Sequence, residues 1–255
     1  MKPEHKKIAE AAAIAGRILL ESNAESYRVE DTVNRILDTS GLAVTEAVAT
    51  GTALFITLDD PTIEGITRIQ RIEHRGNHMR KIYNVNNISR QLTAQKITVD
   101  EALVQLKKVD VSEYTIFHHD AAIFLLILSF VVLLGGHWME LFVASFAAFI
   151  IIGAEYAKNR WGMNDFIHGI FATSLLGFFV PFIIHLCQQS ISSDIIIVSA
   201  LMPLFPGIAF TNGIRDTLKG DYNAGLAKIA EAMTIAVFLA LGIALGLYLV
   251  QGVIK

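Results

Sequence analysis

The pattern of hydrophobic and polar positions divides the chain into two parts. Over residues 1–113 apolar positions alternate with charged ones at helix and strand spacing, whereas the rest consists of long apolar runs between short polar segments. Because about 20 apolar helical residues cross a hydrocarbon layer of about 30 Å, the second part is typical of an α-helical membrane protein. We therefore predict a small cytosolic α+β domain at 1–113 and a transmembrane domain at 114–255.

The first part is predicted to place a small sheet between pairs of helices. Apolar residues recur at helical spacing near both ends, and two β-branched runs flank a Thr-Gly turn, which favours a β-hairpin. Residues 66–74 fit a third strand or a helix almost equally well. The predicted elements are helices at 3–22, 28–39, 79–94 and 98–109 and strands at 42–48 and 52–58.

The second part is predicted to contain about five transmembrane helices. Each apolar run has about the length that a span needs and is bounded by polar or turn residues. The predicted spans are about 114–134, 138–156, 166–187, 195–211 and 230–250.

Charges between these spans predict their orientation. Segments after the first and third spans have no lysine or arginine, whereas those after the second and fourth contain Lys158, Arg160, Arg215, Lys219 and Lys228. Positively charged segments stay cytosolic. We expect a multi-pass protein of the plasma (inner) membrane, with a cytosolic amino-terminal domain and the carboxyl terminus outside.

The fourth span carries two prolines and a glycine near its middle: Pro203, Pro206 and Gly207. Proline removes a backbone donor and crowds the preceding turn, so we predict a break or kink in this helix. Broken helices with free backbone groups bind cargo in many secondary transporters, whereas a simple packing kink is the alternative. Asn212, Arg215 and Asp216 follow on the same span, and the six residues are predicted to bind substrate.

Several ionisable residues lie near the predicted cytosolic ends of the spans. Such groups are costly near hydrocarbon and often relay protons, although some simply lie in the headgroup layer. The candidates for proton coupling are Glu155, Asp165, His168, Asp216 and Glu231.

Composition narrows the function classes. The 255 residues are 53% hydrophobic, and the net charge of −3 gives no reason to expect a nucleic-acid partner. The single cysteine, Cys187, excludes an intramolecular disulfide or a multi-thiolate metal site. No motif indicates a catalytic site, a metal or a cofactor.

Two stretches resemble the ThrE/YjjP threonine/serine exporter family. One contains Asn23-Ala24-Glu25-Ser26, with asparagine where the family pattern usually has glycine, and the other runs from Pro206-Gly207 through Asn212 to Gly220-Asp-Tyr-Asn-Ala-Gly225-Leu-Ala. Asparagine also tolerates a left-handed turn. The resemblance implies about five spans and proton-driven export of threonine, serine or small dicarboxylates. It also implies a partner, since split members work with a small YjjB-like membrane subunit; a homo-oligomer is a further expectation.

Two other functions compete with an exporter of small polar metabolites. A membrane-anchored hydrolase could use Ser26 or the Thr50-Gly51-Thr52 turn, but no GxSxG or HExxH motif accompanies them. A sensor or assembly subunit could bind a cytosolic ligand through the amino-terminal domain and use the spans as an anchor. The polar cluster and the broken fourth span favour the transporter.

Overall fold

A computed structural model describes residues 3–73, 75–111, 116–188 and 191–254. The chain forms two compact units: unit 1 is Met1–Glu113 with Gly207–Ala230, and unit 2 is Tyr114–Pro206 with Glu231–Lys255. The elements are α1 (Pro3–Glu21), α2 (Ser26–Asp38), β1 (Val44–Ala49), β2 (Ala53–Asp59), β3 (Ile66–Arg71), α3 (Met79–Thr93), α4 (Val99–Asp110), α5 (Ile116–Leu133), α6 (Trp138–Trp161), α7 (Asp165–Cys187), α8 (Ser193–Leu201), α9 (Gly207–Leu218) and α10 (Tyr222–Ile254).

Unit 1 contains the predicted helices and hairpin. The sheet is antiparallel in the order β1-β2-β3, with Val48 opposite Phe55 and Phe55 opposite Ile69. Residues 66–71 are therefore a strand and the helical alternative is wrong there, while His74 lies outside the described residues. Alternate residues of β2, including Leu54, are buried in the core of the unit.

The turn between α1 and α2 is the one for which asparagine was expected to substitute for glycine. Asn23 has φ +60°, and its N–H donates to the Leu20 carbonyl at 3.1 Å. The Ala24 N–H donates to the Leu19 carbonyl at 3.0 Å, which completes a Schellman motif. The left-handed asparagine is confirmed, and it directs the chain straight into Ser26, the first residue of α2.

The hairpin of α9 and α10 depends on close approach at glycine. Gly220 ends α9 at φ +94°, and the following Asp221 N–H donates to the Asp216 carbonyl at 3.0 Å. A Cβ at Gly213 would lie 2.9 Å from the Gly225 carbonyl oxygen, and a Cβ at Gly225 would lie 2.7 Å from that of Gly213. The sequence from Pro206-Gly207 to Gly225 therefore specifies a tight helix pair in which the two backbones touch.

Unit 2 holds most of the apolar sequence. Three of the described helices, α6, α7 and α10, are long and apolar enough to cross a membrane, and residues 117–133 of α5 form a shorter apolar helix. The fourth predicted span, 195–211, is not one helix, because α8 ends at Leu201 and α9 begins at Gly207. The helix break expected from the prolines is present, whereas the count of five spans stays a prediction.

Glu30 links α2 to the sheet and gives unit 1 a pH-dependent contribution to stability. Its carboxylate accepts a hydrogen bond from the Ala49 N–H at 2.8 Å. Burial raises the pKa of Glu30, the Ala49 N–H opposes this, and the charges of Asp221 and Asp216 raise the pKa further. Since the folded pKa exceeds the unfolded one, this stabilisation is full below the unfolded pKa and is lost as the pH rises through the folded pKa.

Glu30→Gln, which keeps an acceptor for Ala49, should therefore unfold at a higher temperature than the wild type at neutral pH. The advantage should vanish below about pH 4, near the ordinary glutamate pKa. Thermal unfolding of the detergent-solubilised wild type and variant, from neutral pH to below about pH 4, measures this difference in melting temperature. Asp31→Asn, on the exposed side of the same helix, should show little of this pH dependence, and an equal advantage for Glu30→Gln at all pH values would contradict the assignment.

Candidate functional site

Three polar side chains, Ser26, Asp216 and Lys228, form a buried cluster in unit 1. Ser26 and Asp216 are 0% exposed and Lys228 is 4% exposed. They come from α2, α9 and α10 and are 202 residues apart at the widest separation. Burial of this many polar groups is costly unless each finds a partner.

The hydrogen bonds of the buried cluster meet this requirement. The backbone N–H of Ser26 donates to Asp216 Oδ1 at 3.1 Å, and Ser26 Oγ donates to Oδ2 at 3.2 Å. Lys228 Nζ donates to Asp216 Oδ2 at 2.7 Å, to Ser26 Oγ at 3.2 Å and to the Ala24 carbonyl at 3.2 Å. Asp216 thus supplies the anionic group at the start of α2, where free N–H groups favour it, and the cluster fastens α2 to the α9–α10 hairpin.

Glu25, Arg28 and Arg215 form a second group beside the cluster, which we call the arginine clamp. The side chain of Glu25 is only 7% exposed, while Arg28 and Arg215 are 62% and 59% exposed. Arg215 Nη1 lies 2.7 Å from Glu25 Oε1, and Arg28 Nη1 lies 3.1 Å from Oε2. One buried carboxylate therefore positions two guanidinium groups that remain open to solvent.

The two stretches that carry the family resemblance meet at these residues. Asn212 Nδ2 donates to the Asn23 carbonyl at 2.7 Å, one turn before the Arg215 contact with Glu25. Of the six predicted substrate residues, Asn212, Arg215 and Asp216 are thus brought together on α9. Gly207 begins the same helix, whereas Pro203 and Pro206 lie in the preceding turn and belong to unit 2.

Unit 2 contains a separate polar group at the adjoining ends of α6 and α7. Lys158 Nζ lies 2.8 Å from Asp165 Oδ1 and 3.8 Å from Glu155 Oε1. His168 Nε2 lies 3.4 Å from Glu155 Oε2, but the geometry is not that of a hydrogen bond. This buried nitrogen has no hydrogen-bond partner among the described residues. Three of the proton-coupling candidates therefore lie together, while Asp216 is in unit 1 and Glu231 lies on α10.

The sequence interpretation did not identify Glu25, Arg28, Lys158 or Lys228 as site residues; two of these, Lys228 and Lys158, are lysines. Both were assigned to segments between spans; in the structure Lys228 lies within α10 and Lys158 near the end of α6. Arg160 and Arg215 are also helical, in α6 and α9. The position of Lys228, three residues after Gly225 in the family-like run, was the available signal. Among the residues that the structure describes, no group of three or more His, Cys, Asp or Glu side chains could hold a metal ion.

Comparisons with known proteins cover both units. The family model described as "Putative threonine/serine exporter" matches residues 10–250. The chain is also 22% identical, over 258 residues and 98% of each sequence, to the "Probable succinate transporter subunit YjjP" of Klebsiella aerogenes. No solved structure matches the chain. The matched region includes the buried cluster, the arginine clamp and the polar group of unit 2.

Proposed function

Because this chain belongs to the threonine/serine exporter family and is a membrane transporter subunit, we propose that it takes part in proton-coupled export of small polar metabolites. The family description names threonine and serine, and the name of the relative specifies succinate. These molecules share a carboxylate. The proposed orientation in the plasma (inner) membrane has the amino-terminal domain in the cytosol and the carboxyl terminus outside, as the charged segments favour.

The observation that carries this proposal is the convergence of Asn212, Arg215 and Asp216 with the turn Asn23–Ser26. It creates a fixed polar surface in unit 1. Asp216 is fully buried and fully hydrogen-bonded, so its proposed role is to hold this surface together. Arg215 and Asn212 are the proposed cargo contacts on α9.

The helix break at Pro203, Pro206 and Gly207 has a separate proposed role. The chain leaves the helical conformation between Leu201 and Gly207, and backbone groups released by prolines can bind polar cargo. We retain these three residues as proposed substrate contacts.

We propose Glu155 and His168 as the principal proton carriers. A buried imidazole nitrogen without a hydrogen bond, 3.4 Å from a carboxylate oxygen, can gain a proton and an ion pair together. Lys158 holds Asp165 at 2.8 Å and lies beside Glu155, so it competes with His168 for the Glu155 carboxylate. Asp216 and Glu231 remain further candidates.

Metabolite measurements in cells test this proposal. A strain lacking the chain should accumulate threonine, serine or a small dicarboxylate, and the wild-type gene should restore its release. Glu155→Gln and His168→Gln should restore little release, because each removes one member of the proposed proton-carrying pair, whereas Asp194→Asn, which removes an exposed acid of unit 2, should behave as wild type. Equal membrane levels are checked by immunoblot. Unchanged metabolite pools on deletion would refute export, and full activity of both Glu155→Gln and His168→Gln would refute the proton assignment.

A partner is part of the proposal. The relative is named as a subunit, and a small YjjB-like membrane subunit or a second copy of the chain would complete the pathway.

The geometry gives less support to a hydrolase, since the buried Ser26 hydroxyl donates to Asp216 and Lys228 is paired with the same carboxylate. Transporter-family membership likewise favours transport over catalysis.

A further inference from the structure

Two cavities of unit 1 flank the arginine clamp. The larger measures about 360 Å³ and is lined by Glu25, Tyr27, Arg28, Arg215, Leu218 and Lys219. The smaller measures about 140 Å³, and its polar lining consists of Asn23, Glu25, Arg28, Asn86, Asn212 and Arg215. Both are lined by the clamp residues, so a ligand in either one meets the same two guanidinium groups.

The charges around the larger cavity favour an anion. Arg28, Arg215 and Lys219 supply three positive charges and Glu25 supplies one negative charge, which leaves an excess of two. Lys219 lies over the Tyr27 ring at 5.6 Å from its centroid, and this contact does not neutralise it. A small anion entering this cavity therefore meets a local positive potential.

The clamp arginines are positioned but not saturated. Each uses Nη1 toward Glu25 and makes no hydrogen bond through Nε or Nη2 to another described residue. A guanidinium has five N–H donors in a fixed plane that match the two oxygens of a carboxylate. Because Glu25 already holds both arginines in place, binding a ligand carboxylate costs less conformational free energy than it would with freely moving arginines.

Amide groups complete the smaller cavity. Asn86 Oδ1 accepts a hydrogen bond from Thr32 Oγ1 at 3.2 Å. The NH₂ group of Asn86 is therefore the part of this amide that can donate a hydrogen bond to a ligand. At about 30 Å³ per water molecule, the cavity of about 140 Å³ has room for only a small metabolite.

We propose that these cavities form a binding site for a small carboxylate, held by Arg28 and Arg215, with Lys219 contacting the rest of a molecule in the larger cavity and Asn86 that of a molecule in the smaller one. This inference rests on the proposed function, for which it adds a cargo site in unit 1 and the residues Arg28, Lys219 and Asn86. The excess of two positive charges favours a dicarboxylate over a zwitterionic amino acid, although both carry the required group.

Calorimetric binding to the purified full chain in detergent tests the site with three probes: succinate, threonine and 1,4-butanediol, which lacks carboxylates. The wild type should bind succinate more tightly than threonine and should not bind the diol. Arg28→Gln should weaken succinate binding about tenfold or more, the effect of losing a charge-assisted hydrogen bond. Asn86→Ala should weaken it less. Arg35→Gln, which removes an exposed arginine of the same helix paired with Asp31, should bind as wild type.

Thermal unfolding of each variant separates lost binding from lost folding. Arg28→Lys should recover part of the affinity, because charge remains while the planar pair of donors is lost. Absence of succinate and threonine binding to the wild type, or equal binding by Arg28→Gln, overturns the site. Export by the deletion strain carrying the wild-type gene is measured separately. Export with unchanged Arg28→Gln binding refutes only this site, and Arg28-dependent binding without export refutes only the transport proposal.

Discussion

Lys228→Met and Asp216→Asn should each destabilise unit 1 by about 3–5 kcal/mol, the typical loss when one member of a buried ion pair is removed. The two side chains are 4% and 0% exposed, and their charged atoms lie 2.7 Å apart. Lys228→Met leaves the Asp216 carboxylate with only the donors of Ser26. Asp216→Asn leaves the buried ammonium group without a counter-charge. The double variant should lose less than the sum of the two single changes, because neither charge is then left unpaired.

Hydrogen exchange in α9 and in the first turn of α2 measures this effect locally, since the cluster joins these elements. Lys219→Met is the matched control, because Lys219 is an exposed lysine of the same hairpin, and its loss should change exchange little. If the Lys228 and Lys219 variants exchange equally fast, or if the double variant shows the full sum of the single effects, the buried cluster does not fasten the hairpin to α2.

Local sequence signals predicted much of unit 1 because they coincide with its tertiary structure. Helical periodicity placed α1 to α4, and the Thr50-Gly51 turn placed the hairpin. The choice between strand and helix at 66–71 could not be made from spacing alone, since it depends on hydrogen-bonded pairing with β2. Phe55 opposite Ile69 supplies that pairing.

The candidate site was only partly predictable, because its residues find their partners through tertiary contacts that local sequence signals do not show. Asn212, Arg215 and Asp216 were identified from their type and position, but their partners Glu25, Ser26 and Lys228 lie 12 to 190 residues away. A lysine in a polar segment is typically solvated, so the residue type alone does not mark Lys228 as buried. Once Gly213 and Gly225 bring the two helices into backbone contact, the partner of Asp216 follows from geometry.

Gly246→Ala should disrupt the packing of α7 against α10 in unit 2. A Cβ at Gly246 would lie 2.8 Å from the Cα of Gly177 and even closer to the Ser174 carbonyl oxygen. Conversely, a Cβ at Gly177 would lie 2.6 Å from the Ile243 carbonyl oxygen. Because these neighbours are backbone atoms, no side-chain rotation can relieve the clash. The helices must separate, which typically costs about 1–3 kcal/mol or more in a packed interior.

Gly252→Ala is the control on the same helix, since its added Cβ meets no atom within 4 Å. Alanine favours helix over glycine by about 1 kcal/mol, so this variant should match the wild type or exceed it slightly in thermal unfolding of the detergent-solubilised chain. Gly246→Ala should melt at a clearly lower temperature. Equal melting of the two variants would mean that α7 and α10 do not touch through their backbones, because helix propensity alone predicts the same sign for both substitutions.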